Sequence, residues 1–283
     1  MTKNFIHIKY IAIAFTILTI VVFLWWQNNG IVTSEVHYNN SKIPIEFKGF
    51  KIVHISDLHN KKFGKNQMRL LKKIEKACPD IIVVTGDLID RRRYNLETSM
   101  VFIDGAMKIA PVYFVSGNHE AWSGKYETIK SELIKSGVEV LDDSKVELVR
   151  DYEVIEILGL SDPGFFTGSH MDTTNSKVVG KTLKAISDDS NFQILLSHRP
   201  ELFNIYIDEN IDITFSGHAH GGQFRIPFIG GLFAPNQGFF PKHTSGVYKE
   251  EQSTLVVSRG LGNSVIPIRL FNRPEIIVVT LEN

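Results

Sequence analysis

Short apolar runs rich in β-branched residues recur along the chain, and several of them stop at polar side chains of metal-binding type. The first four are Lys51 to Ser56, Asp80 to Thr85, Val112 to Ser116 and Val138 to Leu141. The stretches between them, such as Gln67 to Ala77 and Tyr126 to Ser136, carry Lys and Glu at helical spacing. This alternation predicts an α/β fold with a largely parallel sheet, because parallel strands need crossovers and those crossovers cover the sheet faces. The second half offers a hairpin, Val146 to Val149 with Val154 to Leu158, and buried runs at Phe192 to Ser197, Ile211 to Ser216, Thr254 to Ser258 and Ile276 to Leu281. Two sheets packed face to face, with helices outside, are expected.

The ends of these runs carry the chemistry. After the first three come Ser56-Asp57-Leu58-His59, Gly86-Asp87-Leu88-Ile89-Asp90 and Gly117-Asn118-His119-Glu120; later come Ser197-His198 and Gly217-His218-Ala219-His220. Groups just past the carboxyl ends of strands sit where open α/β sheets bind ligands. In Asp57-x-His59 and His218-x-His220 the members are two apart, so in extended backbone they share a face. One such motif alone is as easily a hydrogen-bonded core histidine or a helix cap, but five in the same context point to a metal site. Oxygen and nitrogen donors without thiolate suit Mn, Fe or Zn, and Asp87 is the candidate to bridge two cations. His54 lies inside the first strand and reads as a core residue, while His37, His170 and His243 have no partner pattern.

This ordered set resembles the signature of the calcineurin-like metallophosphoesterases, over the chain from about Lys51 to the C-terminus. The resemblance implies a four-layer α/β/β/α sandwich and two divalent or trivalent transition-metal ions. One ion would be held by Asp57, His59, Asp87 and His220, the other by Asp87, Asn118, His198 and His218. His119 would be a non-ligand that protonates the leaving oxygen or stabilises charge on the phosphoryl group. The implied reaction is hydrolysis of a phosphate monoester, diester or pyrophosphate by a hydroxide held between the ions, on a phosphorylated small molecule or lipid. Asp90 and Glu120 either steady a ligand from behind or cap the segments that follow. Gly221-Gly222-Gln223, Pro227 to Pro241 and the stretch around Arg259 resemble a membrane-anchored bacterial branch of the family, and Gln223 and Arg259 are candidates for supporting a ligand or touching substrate. Two alternatives stay open: a narrow lipid-linked nucleotide pyrophosphatase, with Phe233, Phe239 and Phe240 against acyl chains, and a non-catalytic metal-binding surface domain.

From Tyr10 to Trp26 the chain is apolar except for Thr16 and Thr19, long enough for a single transmembrane helix. Lys3 and Lys9 precede it and the next Lys is Lys42, so the positive-inside tendency places the domain outside the cytoplasm, on the cell membrane. A cleaved signal peptide would need a small-x-small site, and only the Gly30 to Ser34 neighbourhood offers small residues. The expected organisation is an anchor over 1–27, a polar stalk over 28–47 with a short extended patch at Ile31 to His37, and one catalytic domain over 48–283.

Composition excludes some partners. Lys plus Arg and Asp plus Glu both total 31, and no basic run is dense enough for a nucleic-acid footprint. Arg91 to Arg93 read as a solvated loop that can at most help hold an anion. The single cysteine, Cys78, rules out an intrachain disulfide and a cysteine-rich metal site.

Overall fold

Apolar residues alternate from face to face along the strands, and this sorts them into two sheets with three cores. The computed structural model describes residues 2–166, 173–234, 237–263 and 267–283, so His170 lies outside the described residues. The chain opens with helix α1 (Thr2–Asn29) and strand β1 (Val32–Asn39), then runs through β2 (Lys51–Ile55), α2 (Met68–Ala77), β3 (Ile81–Thr85), α3 (Leu96–Ala106) and β4 (Val112–Val115). The single turn α4 (Asn118–Ala121), α5 (Tyr126–Lys135) and β5 (Glu139–Val140) complete the first half. A hairpin of β6 (Ser144–Arg150) and β7 (Glu153–Gly159) leads to α6 (Thr173–Ile186), β8 (Phe192–Leu196), α7 (Phe203–Asp208) and β9 (Ile213–Ser216). The stretch after β9 holds two small hairpins, β10 (Arg225–Ile226) with β11 (Gly230–Gly231) and β12 (Phe233–Ala234) with β13 (Gly238–Phe239). Strands β14 (Gly246–Glu250), β15 (Ser253–Val257) and β16 (Glu275–Glu282) close the chain.

One six-stranded sheet has the order β1-β16-β2-β3-β4-β5, the other β14-β15-β9-β8-β7-β6. Each is parallel in its middle, and the pairs β2/β3/β4 and β7/β8/β9 all run the same way. Ile81 and Val83 of β3 point into the core between the sheets, where they meet Ile194, Leu196 and Phe215. Their neighbours Ile82 and Val84 face outward against Leu70 and Ile74 of α2 and Phe102 of α3. Val179 and Leu183 of α6 and Phe203 of α7 cover the second sheet through Leu195, Leu255 and Val257. The result is the four-layer α/β/β/α sandwich.

The polar stalk expected over 28–47 is instead part of the domain. β1 pairs in parallel with β16 along its whole length, from Val32 opposite Glu275 to Asn39 opposite Glu282. Tyr38, Ile43 and Phe47 are buried in the core between the sheets. As an edge strand β1 needs only one apolar side, so its composition reads as polar.

Helix α1 is long and apolar enough to cross a bilayer over His7–Asn29; its most apolar 18 residues have mean hydropathy 2.2 and none of them is buried by the domain. Only its C-terminal end is held. Lys61 Nζ donates to Asn28 O at 2.6 Å, Arg69 Nη2 to Asn29 O at 2.7 Å and Arg273 Nε to Gly30 O at 3.0 Å.

Candidate metal centre

The carboxyl ends of β2, β3 and β4 in one sheet and of β8 and β9 in the other meet along one rim, and every side chain of the ordered motif set lies there. The approach is close enough to demand glycine. A Cβ at Gly217 would collide with Ser56 Oγ and the Asp57 carboxylate, and one at Gly117 with Asp87. Asp57, His59, Asp87, His218 and His220 all have positive φ, at 52°, 48°, 52°, 64° and 49°. L-residues rarely hold this left-handed conformation, and here it turns five side chains inward at once.

Two clusters share one carboxylate. Asp57, His59, Asp87 and His220 offer ligand atoms that all lie within 4.8 Å of one another, as do those of Asp87, His198 and His218, and all six residues are buried. Asp87 Oδ2 stands 3.5 Å from His59 Nε2 and 3.4 Å from His198 Nε2. His59 Nε2 and His220 Nε2 face each other at 3.2 Å, and His218 Nδ1 faces His198 Nε2 at the same separation. Burial drives His59 down to about 3 and holds His218 and His220 well below the usual histidine range, so these rings are neutral. Burial also lowers His198, but Asp87 outweighs it and carries that ring up to about 10. Desolvation, partly offset by His198, pushes Asp57 up to about 6.

The donor set fits a pair of cations. Imidazole nitrogens converge on carboxylates at 3.3–3.9 Å, a spacing suited to an intervening ion. Asn118 Oδ1 is buried and accepts no hydrogen bond, which costs free energy unless a cation takes its lone pairs. A cation would also displace the proton on His198.

The surroundings hold these groups in place. Asp57 accepts from Ser56 Oγ at 2.6 Å and from the His218 amide at 3.2 Å. His198 Nδ1 donates to Thr85 O at 2.7 Å, which leaves Nε2 to face Asp87. Glu120 is bonded to three backbone amides. Its Oε2 accepts from the amides of Asp87 (2.7 Å) and Gly117 (2.8 Å), and its Oε1 from Ile89 (3.0 Å), so it caps α4 and fastens the loop after β3. Asp90 accepts from the Arg92 amide at 2.9 Å and Arg93 Nε at 2.9 Å, with Oδ1 3.7 Å from His119 Nδ1. His119 itself packs edge-on to His59, ring centroids 4.4 Å apart.

Two candidates stand back from the cluster. Arg259 donates from Nη2 to Glu275 at 2.7 Å. Gln223 follows His220 closely, and its carbonyl accepts from Asn272 Nδ2, which also holds His220 O at 2.7 Å. Sequence reasoning passed over Asn272, Arg199, Asp162 and Glu201. Arg199 is buried, forms two hydrogen bonds with Asp162 at 2.6 and 2.9 Å, and reaches His218 Nε2 at 3.0 Å. Its place immediately after His198 was the one signal available. His54 is a core residue as expected, bonded to Thr85 Oγ1 at 2.8 Å and packed against Phe215.

Comparison with known proteins agrees with this geometry. The family described as calcineurin-like phosphoesterase matches residues 50–222. The chain is 32% identical over 259 residues to an uncharacterized metallophosphoesterase, YkuE, of Bacillus subtilis, covering 89% of this chain and 86% of that protein. It is 26% identical to the phosphodiesterase YaeI of Escherichia coli, covering 82% of each. It is 27% identical to a transmembrane protein with metallophosphoesterase domain of Danio rerio, covering 88% of this chain and 56% of that one. The matched region takes in both halves of the rim, from Asp57 to His220, and this chain belongs to the calcineurin-like phosphoesterase family.

Proposed function

We propose that the chain hydrolyses phosphate esters, diesters foremost, at a membrane surface, with two transition-metal ions held by the rim. The observation that carries this is Asp87 Oδ2, placed 3.5 Å from His59 Nε2 and 3.4 Å from His198 Nε2, so that one oxygen serves both clusters. Asp57, His59, Asp87 and His220 would hold one ion, and Asp87, Asn118, His198 and His218 the other. When bound, the pair supplies Lewis acidity, neutralising phosphoryl charge and making water nucleophilic near neutral pH. The phosphodiesterase name of the Escherichia coli relative supports the diester arm.

The chain's own groups do the rest. His119 Nδ1 accepts from the Arg91 amide at 3.1 Å, so the neutral ring carries its proton on Nε2. Burial lowers His119 despite Asp87 and Asp90, and a neutral ring of this tautomer acts by donating a hydrogen bond to a phosphoryl or leaving oxygen. His218 turns Nδ1 to the cluster, while its Nε2 lies 3.0 Å from Arg199 Nη1 and 3.8 Å from Glu201 Oε1. A cleft of about 310 Å³ beside His59 is lined by Lys62 and Arg93, cations suited to a phosphate, and by Lys61, which burial pushes down to about 7.

The transmembrane relative and the apolar helix α1 support action at a membrane. The test is turnover of p-nitrophenyl phosphate, bis(p-nitrophenyl) phosphate and a nucleotide diphosphate-linked lipid by the purified chain with Mn, Fe or Zn. Metal-dependent release from the diester supports the reading. Preference for the lipid alone selects the lipid-linked pyrophosphatase, and no release with any metal removes catalysis.

A further inference from the structure

The hairpin between β10 and β11 ends in Phe228 and Ile229, which none of the described residues covers. Phe228 is fully exposed and Ile229 is 65% exposed. Beside them lies Phe271, half exposed, lining the same shallow depression as Pro227, Phe228 and Ile229. The hairpin and the 270 segment are joined, since Arg225 N donates to Leu270 O at 3.1 Å and Phe224 bridges Leu270. Exposed large apolar side chains grouped in this way mark an interaction surface.

The occupant follows from what the patch adjoins. The Phe271 ring packs edge-on against Phe23 of α1, centroids 5.9 Å apart. Phe23 precedes the helix end at Asn29 by six residues, about 9 Å along the axis. A span of 23 residues is about 35 Å long against a hydrocarbon core of about 30 Å, so Phe23 lies below the hydrocarbon boundary when the helix is centred. Phe271 is then at the same depth. Above it, Arg273 stacks on Trp26 at 4.3 Å and Arg69 lies over Trp25 at 5.7 Å. Aromatic rings with guanidinium groups over them are the chemistry of the headgroup layer.

We propose that Phe228, Ile229 and Phe271 enter the leaflet next to the C-terminal end of α1, so that the domain is seated on the bilayer at two points rather than hung from one. This rests on the reading of α1 as a membrane span. The seat sets the height of the metal centre. Lys61, which lines the cleft beside His59, reaches the helix end through Asn28 O at 2.6 Å. The cleft therefore opens at the level of lipid phosphates, where a substrate need not leave the membrane to meet it.

The experiment uses the full chain with Cys78→Ser, which removes the only native thiol, and a single new cysteine carrying an environment-sensitive fluorophore. Phe228→Cys probes the seat. Tyr152→Cys is the control, since Tyr152 is fully exposed in the turn between β6 and β7, at the strand ends opposite the rim. Both proteins are reconstituted into vesicles of phosphatidylglycerol and brominated phosphatidylcholine and recovered by flotation. The expected result is a blue-shifted probe quenched by bromine at 228 and an unquenched probe at 152. If the chain floats but the probe at 228 stays in water, the seat is wrong and the anchor stands. If the chain does not float, the membrane span is wrong and the seat falls with it. A probe at 228 shielded equally in detergent, with the chain self-associated, assigns the patch to a second copy and overturns the proposal.

Discussion

Asp87 Oδ1 accepts a hydrogen bond from the backbone amide of His119 at 2.8 Å. The carboxylate proposed as the bridge is thus oriented by the residue proposed to act on the substrate, and its other oxygen is left to face His59 and His198. Glu120, next in sequence, holds the amide of Asp87 in return. The turn after β4 and the turn after β3 are one interlocked unit, and each prediction about the site depends on which part of that unit is cut.

Replacing the His119 side chain leaves its amide, and so the Asp87 contact, intact. His119→Ala should therefore retain both metals while kcat falls by about 10²–10⁴, the usual range for a lost acid–base or donor group. Metal analysis beside steady-state kinetics checks this, and metal loss in the variant would make His119 a ligand.

Glu120→Gln is nearly isosteric but puts an NH2 where an acceptor serves the amides of Asp87 and Gly117. One or more buried N–H groups lose their partner, at a cost of about 1–3 kcal/mol in stability. Metal affinity should drop by about 10–100-fold because the ligand loop loosens. Chemical denaturation and metal titration read the two effects, and a variant equal to wild type in both would reduce Glu120 to a dispensable cap.

The placement of β1 changes where the chain can be cut. A polypeptide beginning at Gly30 keeps β1 and should fold as a soluble domain. One beginning at Lys51 exposes the edge of β16 and removes Tyr38, Ile43 and Phe47 from the core, and it should aggregate or unfold at lower denaturant. Equal stability of the two truncations would restore the stalk.

Burial pushes His54 down to about 3, whereas an unfolded histidine titrates near 6.5. The unfolded state binds the extra proton between these values. The contribution is complete above pH ~6.5 and is lost as pH falls toward 3, by up to about 1.4 kcal/mol per pH unit. His54→Leu should flatten the acid limb of the stability profile, and unchanged acid sensitivity would show that this ring does not titrate on unfolding.

What could be read in the sequence was local. The central strands are buried on both faces, so they appear as apolar runs, and their polar ends mark the rim. The extended patch at Ile31 to His37 was legible, but its place in the sheet was not, because an edge strand alternates and its partner β16 lies about 240 residues away, at registers such as Val36 opposite Val279. Asp162 and Arg199 escaped for a related reason: a buried ion pair between distant loops has no sequence period, and only the fold brings the two within 2.6 Å. The dual use of Glu120 was undecidable without knowing that the turns after β3 and β4 touch.

The central claim is that one carboxylate is shared by two metal ions. Its most direct test is elemental analysis of the metal-reconstituted chain beside Asp87→Asn, with diester turnover measured on the same samples. Two ions per chain in the wild type, with a loss of at least one ion and of turnover in the variant, is the predicted result, since a neutral amide is a poor bridge between cations. Two ions and full turnover in Asp87→Asn would contradict it.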